Sequence, residues 1–502
     1  MTEPEPKPEP DTKPEPDTKL EPALRRGHAI VVGGSVAGLV TARVLAERFE
    51  RVTVLERDRY PDSPQPRRGV PQSHHIHFVL AGGRERLEQL FPRLAADMRA
   101  AGAVKFDYAR DTFIRSQHGR LQQFDSELEI YGCSRPLIDW LLVGYIRDDP
   151  RIELRDGAAV EQLIVEDDRV RGVQLADAGG EDGGGERLEG ELVVDATGRR
   201  AMSTKWLEQL GYEPPALRAV SSNLGYACRQ YAREPDETRG WAMASTIPQA
   251  PHWSRSAAVV PIEGGRWLAM LASVGEDRPT DDDEAFVPFA ASLGHPELHQ
   301  LLSSATPLTP VTISRTSRTQ LRGWQRARLP SGLVAVGDAV AAFNPIYGQG
   351  ITLATLGALT LGEEIDRQRA RRGDLSRLSR AYHRRLHRLV RIPFLTVGGL
   401  DASWPEASGV EALGVYGKLM RSRIGRYFVA SGNAKMHRIS GDPKAMQAVL
   451  RIAHFTGSPW ALLRPQMMFR LARQLYFRRP PSLEAQSGRA EPGESTVTST
   501  PG

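Results

Sequence analysis

Residues 29–56 constrain this chain more than any other stretch. Ala29-Ile30-Val31-Val32 is a short apolar run bounded by Gly33-Gly34. A helical pattern follows from Val36 to about Phe49, and Val52-Thr53-Val54-Leu55 is a second apolar run that ends at Glu56. The order is strand, glycine turn, helix, strand, acid. Two later runs, Leu192-Val193-Val194-Asp195 and Leu333-Val334-Ala335-Val336-Gly337, have the same unbroken apolar character. Strands covered on both faces read this way, so these runs predict a central parallel sheet.

The residue types in the turn suit a phosphate. Gly33 permits a tight turn, Ser35 is small enough for the backbone to approach a pyrophosphate, and Gly38 lets the helix approach the strand. The helix N-terminus, with Gly34 and Ala37 beside it, offers N–H donors and the positive end of a dipole. Glu56, followed by Arg57, lies 23 positions after Gly33. A carboxylate there accepts hydrogen bonds from both hydroxyls of an adenosine ribose and repels a 2′-phosphate. Val31 to Gly38 resembles the Rossmann fingerprint, with Ser35 where the second glycine is usual. The expectation is FAD or NAD at this turn, not NADP.

A second signal comes 300 residues later. The run at 333–337 feeds Asp338, then Phe343-Asn344-Pro345-Ile346-Tyr347-Gly348-Gln349-Gly350-Ile351. A helix is predicted to follow, with Ile351, Ala354, Ala358, Leu361 and Ile365 on one face. Asp338 can bind a sugar-alcohol hydroxyl. The glycine-bare helix start can face an atom that gains negative charge, such as the N1–C2 carbonyl edge of a reduced flavin. Read together, the two signals would clamp the two ends of one FAD.

With these residues in view, the chain resembles the FAD-dependent aromatic-hydroxylase-like monooxygenases over about Ala29 to Ile365. The resemblance implies an α/β fold. A Rossmann-like FAD-binding domain of para-hydroxybenzoate-hydroxylase type is interleaved with a mostly antiparallel β-sheet substrate domain, and a C-terminal helical region follows. It implies that Glu56 and the glycine turn hold the ADP half, that Asp338 holds the ribityl chain, and that Pro345 to Gly350 lie beside the flavin ring. Arg67-Arg68-Gly69-Val70-Pro71-Gln72-Ser73-His74-His75-Ile76-His77 looks like a segment of actinobacterial flavin epoxidases that act on polyether-precursor polyenes. Pro261 to Leu268 and Ala341 to Gly348 are similar to them too, while Gln349 replaces their usual His. NAD(P)H as electron donor, O₂ and a C4a-hydroperoxyflavin are implied. So is epoxidation or hydroxylation of a hydrophobic polyene or aromatic intermediate of specialised, antibiotic-type metabolism. A partner flavin reductase is an alternative source of electrons. Asp195-Ala196-Thr197-Gly198-Arg199 stands where phenol hydroxylases usually carry Asp-Gly, so the donor arrangement differs from theirs.

Rival readings are weighed on residues. A flavin halogenase would show W-x-W-x-I-P, but Trp241-Ala242-Met243 and Ile247-Pro248 do not reproduce it. A prenyl-chain reductase would show Y-x-W-x-F-P, which is also absent. A non-catalytic flavin-binding interaction protein is opposed by the intact Gly348/Gly350 helix start. Arg67 and Arg68 are candidates for the flavin or for the donor's phosphates. His75 and His77 are candidates for flavin contact or covalent linkage, and equally for fixing loop geometry. They would share one face of a strand, but no Cys or acid cluster stands nearby, so no metal is expected. Tyr226, Trp241, Trp267 and Phe343 are pocket candidates, with ordinary core packing the alternative. No catalytic side chain is assigned, because the flavin carries the chemistry.

Composition bounds the rest. No run of 18 apolar residues occurs among the 502, and the head has no apolar secretory core. Two cysteines, Cys133 and Cys228, cannot build a disulfide framework, so a reducing cytoplasmic setting is expected. The net charge of +5 hides a head of seven acids and three lysines in residues 1–22. The remaining basic excess thickens between 367 and 480; it reads as a solvated surface, and no nucleic-acid partner is expected. The aromatic and basic run 467–479 is read mainly as a helix packed on its own enzyme, with a membrane contact as the lesser alternative. The expected organisation is a disordered Pro/Glu-rich head (1–26), FAD-binding pieces (27–82, 102–211 and 311–374), a substrate-domain helix (83–101), a β-sheet substrate domain (212–310), a helical region (375–479) and a disordered tail (480–502). Residues 179–185 are expected as a glycine-rich loop. A hairpin is expected from the runs 257–262 and 266–273, and a helix over 281–293 with Thr280 as its cap.

Overall fold

The apolar runs assemble as a five-stranded parallel sheet in the computed structural model. Its order is Leu333–Ala335, Leu192–Asp195, His28–Val32, Arg51–Glu56, Ile152–Asp156. Val31 lies opposite Val194 on one side and Val54 on the other. Ala29, Ile30 and Val31 have no exposed surface, because other elements cover both faces, among them a three-stranded antiparallel sheet (Val160–Glu166, Arg169–Leu175, Arg187–Glu189) whose middle strand packs on Leu192–Asp195. The register brings the ends of four strands to one edge: Gly33, Glu56, Ala196 and Val336 follow the paired residues directly. In open parallel sheets this carboxyl edge is where ligands bind. The structure describes residues 26–477 apart from 178–184, 235, 236, 238, 316 and 317. The head, the tail and most of the 179–185 loop lie outside the described residues.

Thirteen α-helices are present among those residues. They are α1 (Val36–Leu45), α2 (Ala81–Leu90), α3 (Leu94–Ala100), α4 (Arg135–Arg147), α5 (Met202–Gln209), α6 (Phe286–Ala291), α7 (Pro296–Ser304), α8 (Gly350–Arg372), α9 (Leu378–Ala402), α10 (Val415–Arg421), α11 (Arg423–Ile439), α12 (Pro443–Ala453) and α13 (Pro465–Ala472). The stripe predicted for α8 is all buried, packed toward α1, α2 and α9. Three expectations need correction. The first helix stops at Leu45. The segment 83–101 is two helices, broken at Phe91-Pro92 where proline forbids continuation, and α2 packs on α1 and α8. The helix expected over 281–293 is confined to 286–291, because the Asp283 carboxylate is drawn off to Arg229 and to the Val311 N–H (2.9 and 2.8 Å). Thr280 forms only a local turn with Asp282.

A second, seven-stranded sheet runs Thr312–Ser314, Leu224–Ala232, Arg266–Val274, Ser256–Ile262, Met243–Thr246, Thr112–Ser116, Gly119–Arg120. It is antiparallel except where 243–246 meets 112–116, and it contains the expected hairpin. It therefore reaches beyond 212–310 at both ends. Its two faces feed two cores. Tyr226, Cys228, Leu268 and Ala272 face the main core. Ala227, Tyr231, Trp267 and Leu271 face a smaller one closed by α6 and α7. Period-two alternation along the strands enforces this division. After α8 the chain is helical, as expected. Met467, Leu471 and Leu475 pack on Leu128, Ile439 and Met446. Met468, Phe469 and Tyr476, on the same segment, stay exposed.

Candidate functional site: a two-ended dinucleotide cleft

The glycine turn is built by close approach. Gly33 has φ +107°, and a Cβ there would lie 2.5 Å from the Ala196 carbonyl oxygen. A Cβ on Gly38 would lie 1.8 Å from the Gly33 carbonyl oxygen, so α1 sits directly on the strand end. Ser35 takes the N-cap position of α1, but its side chain makes no capping bond and the first turn has no acid. Its hydroxyl instead accepts from Arg135 at 2.7 Å. Arg135 opens α4 and pairs with Asp139 at 3.0 Å. The start of α1 thus keeps N–H donors free for an anion, with a buried guanidinium beside them.

Glu56 stands where expected and organises the turn itself. One carboxylate oxygen accepts from the Gly34 N–H (2.8 Å) and the other from the Asp58 N–H (3.0 Å). Arg67 lies 3.1 Å from Glu56 and donates to the Gly34 carbonyl at 2.9 Å, which Tyr60 also meets at 2.7 Å. A carboxylate offers about four acceptor positions, so room remains for a ribose hydroxyl. Arg67 is therefore bonded into the glycine turn itself. Arg57 and Arg68 are exposed.

The flavin-side motif touches the first. Gly337 has φ +58°, and a Cβ there would lie 2.7 Å from the Ala37 Cβ. Asp338 follows on a single helical turn, its carboxylate 3.7 Å from Arg199 Nε. Burial pushes the Asp338 carboxyl up, against the pull of Arg199 and Arg135. Arg199 also donates to the Phe343 carbonyl at 2.7 Å, which ties this motif to the following loop. α8 starts bare: Gln349 makes no capping bond, and no acid stands in the first turn. The Gln349 side-chain oxygen is buried without a partner, and nothing lies within 4 Å of where a Gly350 Cβ would be. An uncapped N-terminus, an orphaned polar atom and open ground beside a glycine fit the ring end of an FAD. Glu56, the α1 turn and Arg135 fit its ADP end.

The loop between Asp338 and α8 is held from behind. Asn344 donates to Asp401 at 2.8 Å, and Thr319 donates to the other Asp401 oxygen at 2.6 Å. The Asn344 N–H meets the Thr319 hydroxyl, and its own side-chain oxygen accepts from Ile346. Burial raises the Asp401 carboxyl to about 6, against the bonds from Thr319, Asn344 and Ser222. Asp401 lies near the end of α9, far along the sequence, and carried no local signal. Arg135 was also missed. Its one trace was Ser134-Arg135-Pro136, a helix start in which Ser134 caps α4.

His75 and His77 are not on a strand. A short 3₁₀ turn, Pro71–His74, precedes them and irregular chain follows. His75 is buried with Nδ1 unpartnered, its ring edge-on to Tyr226 at 4.7 Å. His77 Nδ1 lies 2.9 Å from the His75 carbonyl. Burial drives His75 down to about 4 and His77 down to about 3, so both rings are neutral near pH 7. Among the described residues no group of three or more His, Cys, Asp or Glu is arranged to hold a metal. Tyr226 and Phe343 face the main core beside the cleft elements. Trp267 bonds Glu237 at 2.9 Å inside the smaller core, with Trp241 packed against it. Strand alternation puts Trp267 on the far side of the sheet, and Trp241, in the loop before Met243–Thr246, packs there beside it, so both leave the set of pocket candidates. Asp195 accepts from Thr197 and Ser203 and is fully enclosed, which makes it the anchor of α5 and not a donor-binding group.

Two ends of one cleft, each built for a different part of a flavin dinucleotide, agree with sequence comparison: residues 27–392 match the family described as FAD binding domain, and the chain belongs to it. It is a flavoprotein with the fold of flavin monooxygenases and flavin halogenases. The protein Rv3254 of Mycobacterium tuberculosis is 33% identical over 366 residues, 70% of this chain and 76% of that one. A probable FAD-dependent monooxygenase from Pseudomonas aeruginosa, PqsL, superposes with a TM-score of 0.56 at 15% identity, over 81% of this chain and 99% of its own. The flavin-dependent brominase Bmp2 superposes at 0.58 and 14% identity, over 85% and 98%.

Proposed function

We propose that the protein is an FAD-dependent monooxygenase. It takes two electrons from NAD(P)H, passes one atom of O₂ to a hydrophobic small molecule and releases the other as water. Epoxidation of an alkene is the favoured outcome and ring hydroxylation the next. The flavin supplies the electron transfer and the oxygen activation. The chain's own residues do the rest. The α1 turn and Arg135 take the pyrophosphate, Asp338 a ribityl hydroxyl, and Glu56 the ribose. The bare start of α8 stabilises negative charge gained at the ring's pyrimidine edge. Tyr226, Phe343 and neutral His75 offer an apolar wall that keeps water from the reacting atoms.

The observation that carries this reading is the uncapped, glycine-bare N-terminus of α8 beside Asp338. A protein that merely stored FAD would not need a charge-stabilising group at the ring. The absent halogenase motif favours oxygen transfer over halogenation. The test is anaerobic reduction of the purified yellow protein by NADH and by NADPH, followed by air with a polyene and an arene. Oxygenated product with matching NAD(P)H consumption supports the proposal. Product that requires chloride or bromide, or no reduction by any donor or reductase, refutes it.

A further inference from the structure

The C-terminal helices carry a surface that the flavin cleft does not use. On α11, Ile424, Tyr427 and Phe428 are 61%, 71% and 60% exposed. They recur at helical spacing on one face, while Gly425 and Val429 on another are buried. Trp460 and Phe469 are 75% and 71% exposed on the neighbouring turn Pro459–Leu463 and on α13. α10 packs on α11, and α12 joins α11 to the 459–463 turn and to α13, so these elements belong to one linked group of helices. A patch of large apolar side chains on one such group marks a contact surface, not scattered surface residues.

The charge around it is one-sided. Residues 415–477 hold eleven lysines and arginines and one acid, Asp442. That acid is already used: it caps α12 and bonds Arg470 at 3.1 Å. Two of these cations are ion-paired, Arg451 with Glu127 and Arg470 with Asp442, but apolar aromatics on a segment with so large a cation excess suit a surface with an apolar interior and an anionic skin. We propose that this face docks the protein on one leaflet of an anionic lipid bilayer. Ile424, Tyr427, Phe428, Trp460 and Phe469 enter the acyl boundary, and the surrounding arginines and lysines meet headgroup phosphates. No helix among the described residues is long and apolar enough to cross the membrane. Docking is independent of which reaction the flavin performs.

The experiment uses the full-length flavoprotein and extruded vesicles, either of phosphatidylcholine alone or of phosphatidylcholine with phosphatidylglycerol at two to one. Co-sedimentation should be about tenfold stronger with the anionic vesicles and should fall in high salt. The double variant Ile424→Asp/Phe428→Asp should lose about tenfold of that binding with unchanged FAD content and melting temperature. Brominated acyl chains should quench tryptophan emission in the natural sequence, and Trp460→Phe should reduce the quenching, which needs no charged variant to fold. Several results would overturn the proposal: no vesicle binding, binding indifferent to the double variant, or a lipid-free dimer that the variant dissolves without any vesicle binding. Retention on single-stranded DNA in place of vesicles would do so too.

Discussion

At Gly350 two demands on a residue separate. Alanine there would place its Cβ in open ground, with nothing within 4 Å. As a helix former it should leave the FAD-free protein unchanged or stabilise it by up to about 1 kcal/mol. If that ground belongs to the flavin ring, Gly350→Ala should still weaken FAD retention about tenfold, since each 1.4 kcal/mol of lost contact is one decade. Melting curves with and without added FAD check this; equal FAD shifts in both proteins would free Gly350 from its role. Gly38→Ala should behave oppositely, because its Cβ would fall 1.8 Å from a carbonyl oxygen and the fold itself should fail. Asp338→Ala should lose flavin on gel filtration while its melting temperature without FAD stays near that of the natural sequence. The positions of Gly33, Gly38, Glu56 and Asp338 were legible in the sequence because they are tied to backbone geometry at strand ends. Tyr60 and Arg135 were not, because their side chains matter only where the fold brings them.

Among the elements, α9 shows how a distant segment enters the site. Asp401 accepts from Thr319 and Asn344 with its two oxygens. Asp401→Ala leaves the Thr319 hydroxyl buried without its acceptor and Asn344 with only its longer bond to Ser222 (3.4 Å), which should cost about 1–3 kcal/mol. Asp401→Asn keeps one acceptor but turns an amide toward the Asn344 amide, donor against donor. Both variants should lower the urea midpoint and slow flavin reduction at saturating NAD(P)H. Normal reduction in both would make Asp401 a stability residue alone. The strands themselves were easy to read from apolar runs. Which face each side chain would take was not: Tyr226 and Trp267 are equally apolar, and only the pairing of 224–232 with 266–274 separates their cores.

Across the whole molecule, stability should fall in acid for an identifiable reason. Burial holds His295, His383 and His454 at about 4. Each accepts a backbone N–H with a neutral ring nitrogen, from Leu298, Ala335 and Ala81. With His75, His77, His28, His387 and His437, eight histidines keep folded pKa values below the ordinary 6.5. Their contribution is present above pH 6.5 and is lost as pH falls toward 4, because the unfolded chain gains protons that the native one refuses. Each contributes at most about 1.4 kcal/mol per pH unit in that window. Asp401, raised to about 6, and Asp338, also raised by burial, act in the opposite direction, two carboxyls against eight histidines. Urea midpoints should therefore drop steadily from pH 7 to pH 5; a flat profile would mean that these rings are not held neutral in the native state.

Sequence alone determined the parallel sheet, the two coenzyme motifs and the helical end, because each rests on local periodicity or on a backbone that only small residues allow. Tertiary structure decided the partners: Arg67 on the first glycine turn, both tryptophans behind the second sheet, Asp401 beneath the loop before α8, and an apolar, basic face left exposed. Those are contacts between segments tens to hundreds of residues apart, and no local pattern encodes which side chains will meet once the layers close.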